Sequence, residues 1–319
     1  MDGEMDRYEF ITRNTQEIVT IEGLNELLAS DKTPTAYAGY EPSGKIHLGH
    51  VLTVNKLIDL QNAGFEITVL LADLHAYLNG KGTLEEVKEL AEYNKRCFIA
   101  LGLDRARFAF GSEFQTDHEY TMNVLKLAQD TTLNRARRSM SEIARNTEHP
   151  MVAQMIYPIM QAVDIMSLGI DAAVGGIDQR KIHMLAREGL PAIGYKAPVC
   201  IHTPILLGLD GEKMSSSSDN YISVDDDEKT VEKKINRSFC PQGVVDDNPA
   251  IELFRYHIFP RFSEIEVERP PKFGGDLCYG SYDELADEFA KKNLHPMDLK
   301  KTAARYVNLL LDPVRKTLR

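Results

Sequence analysis

The sequence predicts an α/β protein: a doubly wound parallel sheet with a helical insertion, followed by a mostly helical C-terminal domain. Three observations carry this reading. Short β-prone runs alternate with helical periods through the first half of the 319-residue chain, the pattern of a parallel sheet covered by helices. The run Glu66-Ile-Thr-Val-Leu-Leu-Ala72 is apolar or β-branched almost throughout, as a strand buried on both faces must be. Between about 114 and 164 the strand signal stops and only helical spacing remains, as expected of an insertion. A Rossmann-like sheet of this kind takes its ligands at the carboxyl ends of its strands.

The elements follow in order. Thr35–Tyr40 is a short strand, Glu41-Pro-Ser-Gly44 a turn, and 48–62 a helix stopped by Gly64. After the strand 66–72, Leu84, Val87, Leu90, Phe98 and Leu101 lie on one helical stripe. Arg107–Phe110 is a further strand. Asp171–Gly176 is another, ending in a glycine turn before a helix that begins near Gln179. The acidic stretch Asp225–Glu228 then opens a more basic remainder with Pro249, Pro260, Pro270 and Pro271 at its joints. The expected domains are 1–222, with a serine-rich loop over 211–220, and 223–319. Gly194–Pro198 reads as a small loop insertion to which no chemistry is assigned, and no internal repeat or low-complexity segment appears.

Composition excludes several classes. Hydrophobic residues at 43% and charged residues at 27% suit a packed globular protein. The four cysteines form no CxxC pair and the acidic N-terminus lacks a signal-peptide pattern, so reduced thiols and a cytoplasmic location are expected. The best apolar run, Ile67–Leu78, is cut by Asp73 and His75 and is too short to span a membrane. With 37 basic against 48 acidic residues and a net charge of −11, a generic nucleic-acid coat, and DNA as a partner, are disfavoured. Basic charge is local instead: eight Lys and Arg against two Asp over 289–319, and Arg135, Arg137 and Arg138 together. Such patches suit a polyanion docked at chosen points, or are solvated helix faces.

Two motifs carry chemistry. In His47-Leu48-Gly49-His50, directly after the first strand and its turn, the two histidines lie on one side of a first helical turn. Free N–H groups and the positive dipole end of that helix would favour phosphate, and Gly49 would let a nucleotide ring rest on the backbone. By themselves these could equally be packing or surface histidines. In Gly211-Glu-Lys-Met-Ser-Ser-Ser-Ser218, Lys213 is the only cation of a donor-rich loop. It could stabilise charge as pyrophosphate leaves; alone, the stretch would also serve as a linker. Tyr157, Gln161 and Asp164 form a polar stripe on one helical face, structural or ligand-binding.

These residues resemble the class I aminoacyl-tRNA synthetases, whose HIGH and KMSKS motifs match His47–His50 and Lys213–Ser217. The closer resemblance is to the tyrosyl-tRNA synthetases of the archaeal/eukaryotic type. It runs through Tyr37, Gly39, Glu41–Gly44, Leu71–His75, Tyr157–Gln161 with Asp164, and Gly175–Gln179, and covers nearly the whole chain. It implies ATP-dependent activation of L-tyrosine and its transfer to tRNA(Tyr). His47, His50 and Lys213 would be catalytic. Gly39, Gly49, Met214, Ser215, Ser216 and Ser217 would join them around ATP, with Mg2+ carried by the nucleotide. Tyr37 and Asp164 would hold the phenol, and Tyr157, Gln161 and Gln179 the amino-acid end.

For tRNA the resemblance implies Phe273 stacking on an anticodon base, Asp298 with His295 reading a guanine edge, and Arg138 and Arg180 meeting the acceptor end. It also implies a homodimer joined through the insertion. Two departures stand: Ser217 replaces the second lysine of KMSKS, and Leu48 replaces isoleucine. His75 is expected to pack beside the amino acid, and the remaining histidines lack metal-ligand spacing, so no protein-held metal is expected. The competing readings are a tryptophanyl-tRNA synthetase, a small HxGH nucleotidyltransferase and a non-catalytic RNA-binding relative. Asp164 with Tyr37 favours a phenol over an indole, which offers only an N–H donor.

Overall fold

A computed structural model describes residues 6–140, 149, 151–212, 214 and 220–319. The chain forms two compact units, the first from residues 1–44, 56–98 and 102–205, the second from 45–55, 99–101 and 206–319.

The first unit holds a six-stranded sheet. Its strands are β1 (Glu17–Val19), β2 (Thr35–Tyr40), β3 (Glu66–Leu71), β4 (Arg107–Phe110), β5 (Ala172–Gly176) and β6 (Val199–Thr203), in the order β1-β6-β5-β2-β3-β4. All neighbours pair in parallel except β1, which runs antiparallel to β6. The chain moves outward from β2 to β3 and β4, then returns to place β5 on the other side of β2. That reversal is the switch point at which such sheets open a crevice at their carboxyl ends. The insertion forms before the return, as helices His118–Asp130, Leu133–Ser139 and Val152–Ser167. Ile159, Ala162, Val163 and Ile165 of the last helix pack into one core with Tyr37, Leu70, Ala173 and Leu185. Polar residues of the same helix are thereby aimed at the crevice.

The predicted helix over 48–62 is present as Leu48–Asn62, and Gly64 ends it at φ +87°, a conformation that favours glycine. The chain's only fully buried lysine among the described residues lies on this helix: the Lys56 ammonium donates to the carbonyls of Phe10 and Ile11, each at 3.1 Å.

The second unit contains helices Glu228–Arg237, Pro249–Leu253, Tyr282–Ala290 and Pro296–Leu318. A hairpin of β7 (Ile265–Val267) and β8 (Leu277–Tyr279) adds to the helical pattern expected there. Side-chain caps define the helix starts: Asp227 accepts from the Thr230 N–H (2.7 Å), Ser281 from Glu284 (3.3 Å) and His295 from Met297 (3.1 Å). Among the described residues no helix is long and apolar enough to cross a membrane, and no cluster of three or more His, Cys, Asp or Glu could hold a metal.

Candidate active site

The first unit encloses a pocket at the β2–β5 switch point. β2 supplies Tyr37 and Gly39, the helix Asp73–Leu78 supplies His75, and the helix Val152–Ser167 supplies Tyr157, Gln161 and Asp164. Gln179 enters from the turn after β5, with Glu41, Asn79 and Lys81 at the same pocket. The five residues expected to hold an amino acid are thus brought together.

Asp164 lies at the bottom, fully buried. Its Oδ1 accepts from Gln115 Nε2 at 2.8 Å and from the Tyr120 hydroxyl at 2.8 Å. Among the described residues its Oδ2 has no hydrogen-bond partner, and neither has the buried Tyr37 hydroxyl. Burial raises the Asp164 carboxyl to about 7, with Gln115 and Tyr120 pulling the other way. Burial also lifts the Tyr37 and Tyr157 phenols well above their ordinary range, so both remain O–H donors. The second amide hydrogen of Gln115 faces His75 Nδ1 at 3.2 Å, which leaves the His75 proton on Nε2, 3.7 Å from Asp164 Oδ2. Burial holds His75 down at about 4, so the ring is neutral.

One acceptor and two donors without partners among the described residues therefore meet in a buried pocket. This is the complement of a hydroxyl group that donates once and accepts once. Gln115 and Tyr120 escaped notice in the sequence because nothing at fixed spacing ties them to Asp164, 49 and 44 residues away.

The amino-acid end of the pocket is amide-lined. Gln161 Nε2 donates to Gln179 Oε1 at 3.2 Å. Gln179 can lie there because position 175 is glycine: a Cβ would come within 2.9 Å of Gln179 Cγ. Tyr157 meets the His75 ring edge-on at 4.5 Å, and Glu41 is held by Asn79 (3.0 Å) and Lys81 (3.5 Å). Gly39 lies at the exposed lip, where a Cβ would find only ordinary contacts at 3.8 Å.

His47, Gly49 and His50 belong to the second unit and form a compact cluster of their own. The two imidazoles pack at 4.0 Å. The Gly49 N–H donates to His47 Nδ1 at 3.1 Å, and the His47 N–H donates to His50 Nδ1 at 3.2 Å. Each Nδ1 is an acceptor, so each proton resides on Nε2. Burial pushes His47 down to about 4 and His50 to about 3, so both are neutral N–H donors rather than cations.

This corrects the expected phosphate site. The Leu48 N–H is taken by the Ile222 carbonyl (3.0 Å), the Gly49 N–H by His47, and the His50 N–H by the His47 carbonyl (2.8 Å). The first N–H groups of the helix are already satisfied. Gly49 has a related role: a Cβ there would come 2.9 Å from His47 Cε1, so glycine lets the ring fold over its own backbone. Met214 packs against Leu52, Leu206 and Tyr256. Lys213, Ser215, Ser216 and Ser217 lie outside the described residues.

Of the residues expected to meet RNA, Phe273 is 61% exposed at the end of a tight turn, with the Lys272 ammonium over its ring at 4.8 Å. Arg269 ties that turn to the connection that precedes the last helix, donating to the carbonyls of Gly275 (2.9 Å) and Asn293 (3.2 Å). Exposed His295 caps that helix, and Asp298 occupies its first turn. In the first unit Arg138 is exposed, whereas Arg180 is held by Glu17 through two bonds of 2.7 and 3.0 Å.

Comparison with known proteins follows this geometry. The chain matches the family described as tRNA synthetases class I (W and Y) over residues 29–312. It is 65% identical over 316 residues to the tyrosine–tRNA ligase of Methanococcoides burtonii, covering 98% of this chain and 100% of that one. The crystal structure of the tyrosyl-tRNA synthetase of Archaeoglobus fulgidus, complexed with L-tyrosine, is similar with a TM-score of 0.96 at 61% identity, over 98% of this chain and 99% of that one. The tyrosyl-tRNA synthetase of Aeropyrum pernix is similar with a TM-score of 0.87 at 38% identity, over 98% and 93% of the two chains.

Proposed function

Because this chain belongs to the class I tRNA synthetases of the tryptophan and tyrosine group, we infer that its pocket activates an amino acid with ATP and that the amino acid is tyrosine. Its function is the ATP-dependent ligation of tyrosine to tRNA. The observation that carries the tyrosine assignment is the pairing of an unpartnered Asp164 Oδ2 with an unpartnered Tyr37 hydroxyl in one buried pocket. A phenol O–H donates to the first and accepts from the second. An indole N–H would leave the Tyr37 hydroxyl unpaired, and phenylalanine would leave both. A site that bonds a substrate hydroxyl rejects the analogue lacking it for this reason, a rule for which tyrosyl enzymes are themselves the usual illustration.

In the first step the tyrosine carboxylate attacks the α-phosphorus of ATP, and the bond to the leaving pyrophosphate breaks. The nucleophile is already ionised, so no general base is needed. Tyr157, Gln161 and Gln179 orient the amino-acid end. The Nε2–H groups of His47 and His50 donate to the phosphates, Gly39, Gly49 and Met214 line the nucleotide's place, and Lys213 with Ser215–Ser217 supports the leaving pyrophosphate. Magnesium comes with ATP, held by its phosphates. In the second step a hydroxyl of the terminal tRNA ribose attacks the tyrosyl carbonyl and AMP leaves.

Residues 1–222 would thus carry the chemistry and 223–319 the anticodon reading, in the cytoplasm where ATP and tRNA meet. Arg138 and Arg180 would meet the acceptor end, Arg180 by exchanging Glu17 for phosphate. A homodimer through the insertion is supported by its exposed Leu125 (57%), Leu133 (70%) and Val152 (77%).

The test is amino-acid-dependent ATP–pyrophosphate exchange without tRNA, comparing tyrosine, tryptophan, phenylalanine and no addition. Exchange with tyrosine alone is expected; exchange with tryptophan would move the assignment to the sister enzyme. Phe273→Ala separates the two steps. Loss of one stacked base raises KM for tRNA by about 5- to 150-fold, from ~1–3 kcal/mol of stacking, while pyrophosphate exchange is unchanged. A parallel fall in exchange would show that Phe273 serves the fold rather than RNA.

A further inference from the structure

The His47 ring is held by more than its own motif. Residues 221–224 run antiparallel to 46–48: the Leu48 N–H donates to the Ile222 carbonyl (3.0 Å), the Val224 N–H to the Ile46 carbonyl (2.9 Å), and His47 pairs across with Ser223. This pairing delivers the Tyr221 ring against the His47 imidazole, with centroids 5.1 Å apart. Tyr221 is clamped in turn. The Lys234 ammonium donates to its carbonyl at 3.0 Å and lies over its ring at 5.4 Å. The Asp226 carboxylate accepts from both Lys234 (3.0 Å) and the Ser223 N–H (2.9 Å).

We propose that Tyr221 is a positioning residue for tyrosine activation: its ring covers one side of the His47 imidazole and holds it in the pose that presents Nε2–H to the nucleotide's phosphates, with Lys234 locking Tyr221 in place. The inference rests on the reading of His47 as a phosphate donor. A single backbone bond to Nδ1 fixes which atom accepts but leaves the ring free to swing about it. His50 packs at 4.0 Å, the Gly49 backbone lies beneath, and Tyr221 supplies a third wall.

That wall also controls protonation. The charged groups described around the cluster are paired, Lys234 with Asp226 and Lys45 with Asp225 (2.8 Å), and His50 is neutral. Burial is what holds His47 down at about 4. Without the Tyr221 ring the half-buried imidazole is more exposed to water and its titration returns toward ~6.5. A protonated ring carries N–H on both nitrogens, so Nδ1 can no longer accept from Gly49 and the pose is lost.

The experiment measures tyrosine-dependent exchange in wild type, Tyr221→Ala, Tyr221→Phe, His47→Ala and the Tyr221→Ala/His47→Ala double variant, with thermal unfolding of each. It also follows the imidazole titrations by NMR, assigned with His47→Ala. Tyr221→Ala lowers kcat about 10-fold, a partial loss of one preorganised donor, and leaves KM for tyrosine unmoved. An acid limb appears near pH ~6, matching a His47 titration that rises toward the ordinary imidazole value. Tyr221→Phe keeps the ring and restores the wild-type profile. In the His47→Ala background Tyr221→Ala adds no further loss. An equal loss in both backgrounds, a raised KM for tyrosine, or a His47 titration unmoved by Tyr221→Ala would overturn the proposal. Wild-type protein without tyrosine-dependent exchange would overturn the ligase reading instead, and the NMR titration would still decide the role of Tyr221.

Discussion

His47→Ala and His50→Ala each lower the rate of tyrosine-dependent pyrophosphate exchange by ~10²- to 10³-fold, the usual consequence of deleting one preorganised donor to developing charge. KM for tyrosine stays near its wild-type value, because the phenol pocket is built from residues of the first unit alone. The proposal that the rings act as neutral N–H donors gives the prediction a sharper form. Glutamine places an amide N–H near the position of Nε2, so His47→Gln loses less than His47→Ala, whereas His47→Lys, with a charge and no planar acceptor for the Gly49 N–H, does not rescue. A lysine variant more active than the glutamine variant would show that charge, not a neutral donor, is required. The rate carries no acid limb from either ring until pH falls to about 4 for His47 and about 3 for His50. Stability behaves differently. Half-buried His47 and His50 and fully buried His75, His183 and His257 all have titrations pushed down to about 3 or 4. Between those values and ~6.5 the unfolded chain binds more protons, so stability is lost as pH falls through that window.

The legible part of the fold was the part with local signal. β2, β3, β4 and β5 and the helix Leu48–Asn62 are short-range patterns of branched and apolar residues bounded by glycine or proline turns, and all are present. β6 was missed although its Val199–Thr203 stretch is wholly buried, because Cys200, His202 and Thr203 interrupt the apolar run. Its His202 is buried only by virtue of partners far off in sequence, His183 at 3.0 Å and Glu17 at 3.1 Å. β1 has three residues and exists because β6 offers it an edge. Neither could be read without the tertiary structure.

The site divides along the same line. Tyr157, Gln161 and Asp164 could be placed on one face of one helix from their spacing alone. What sets the chemistry of Asp164 could not. Gln115 and Tyr120 come from the start of the insertion and are brought to the carboxylate by the return of the chain to β5. The histidine pair shows the opposite case. Its motif is plain, but the motif alone predicts free backbone N–H groups, and only the structure shows that these are consumed, that of Leu48 by the Ile222 carbonyl, that of Gly49 by the His47 ring and that of His50 by the His47 carbonyl.

Asp164→Asn separates binding from stability in opposite directions. Asparagine keeps the shape, and its Oδ1 still accepts from Gln115 Nε2 and the Tyr120 hydroxyl. The atom facing the ligand becomes an NH2, which cannot accept the phenol proton. A hydrogen bond to an ionised group is worth ~1.5–3 kcal/mol, so kcat/KM for tyrosine falls by about 10- to 100-fold. The value for phenylalanine, which never used that bond, falls far less, and discrimination narrows. Wild-type affinity for tyrosine weakens as pH falls through about 7, where the raised Asp164 carboxyl takes up its proton, and the asparagine variant loses that dependence. The sign for stability is the reverse. The carboxyl titrates at about 7 in the fold against ~3.9 unfolded, so folding favours the protonated form. The contribution is fully present below ~3.9, decreases above it, and is lost as pH rises through about 7. At pH ~8 the wild type therefore holds a desolvated anion that asparagine does not, and the variant melts at higher temperature there, with the difference vanishing in acid. An asparagine variant that is less stable at every pH would mean that the carboxylate is a net support of the fold. An unchanged kcat/KM for tyrosine would mean that Asp164 does not receive the phenol.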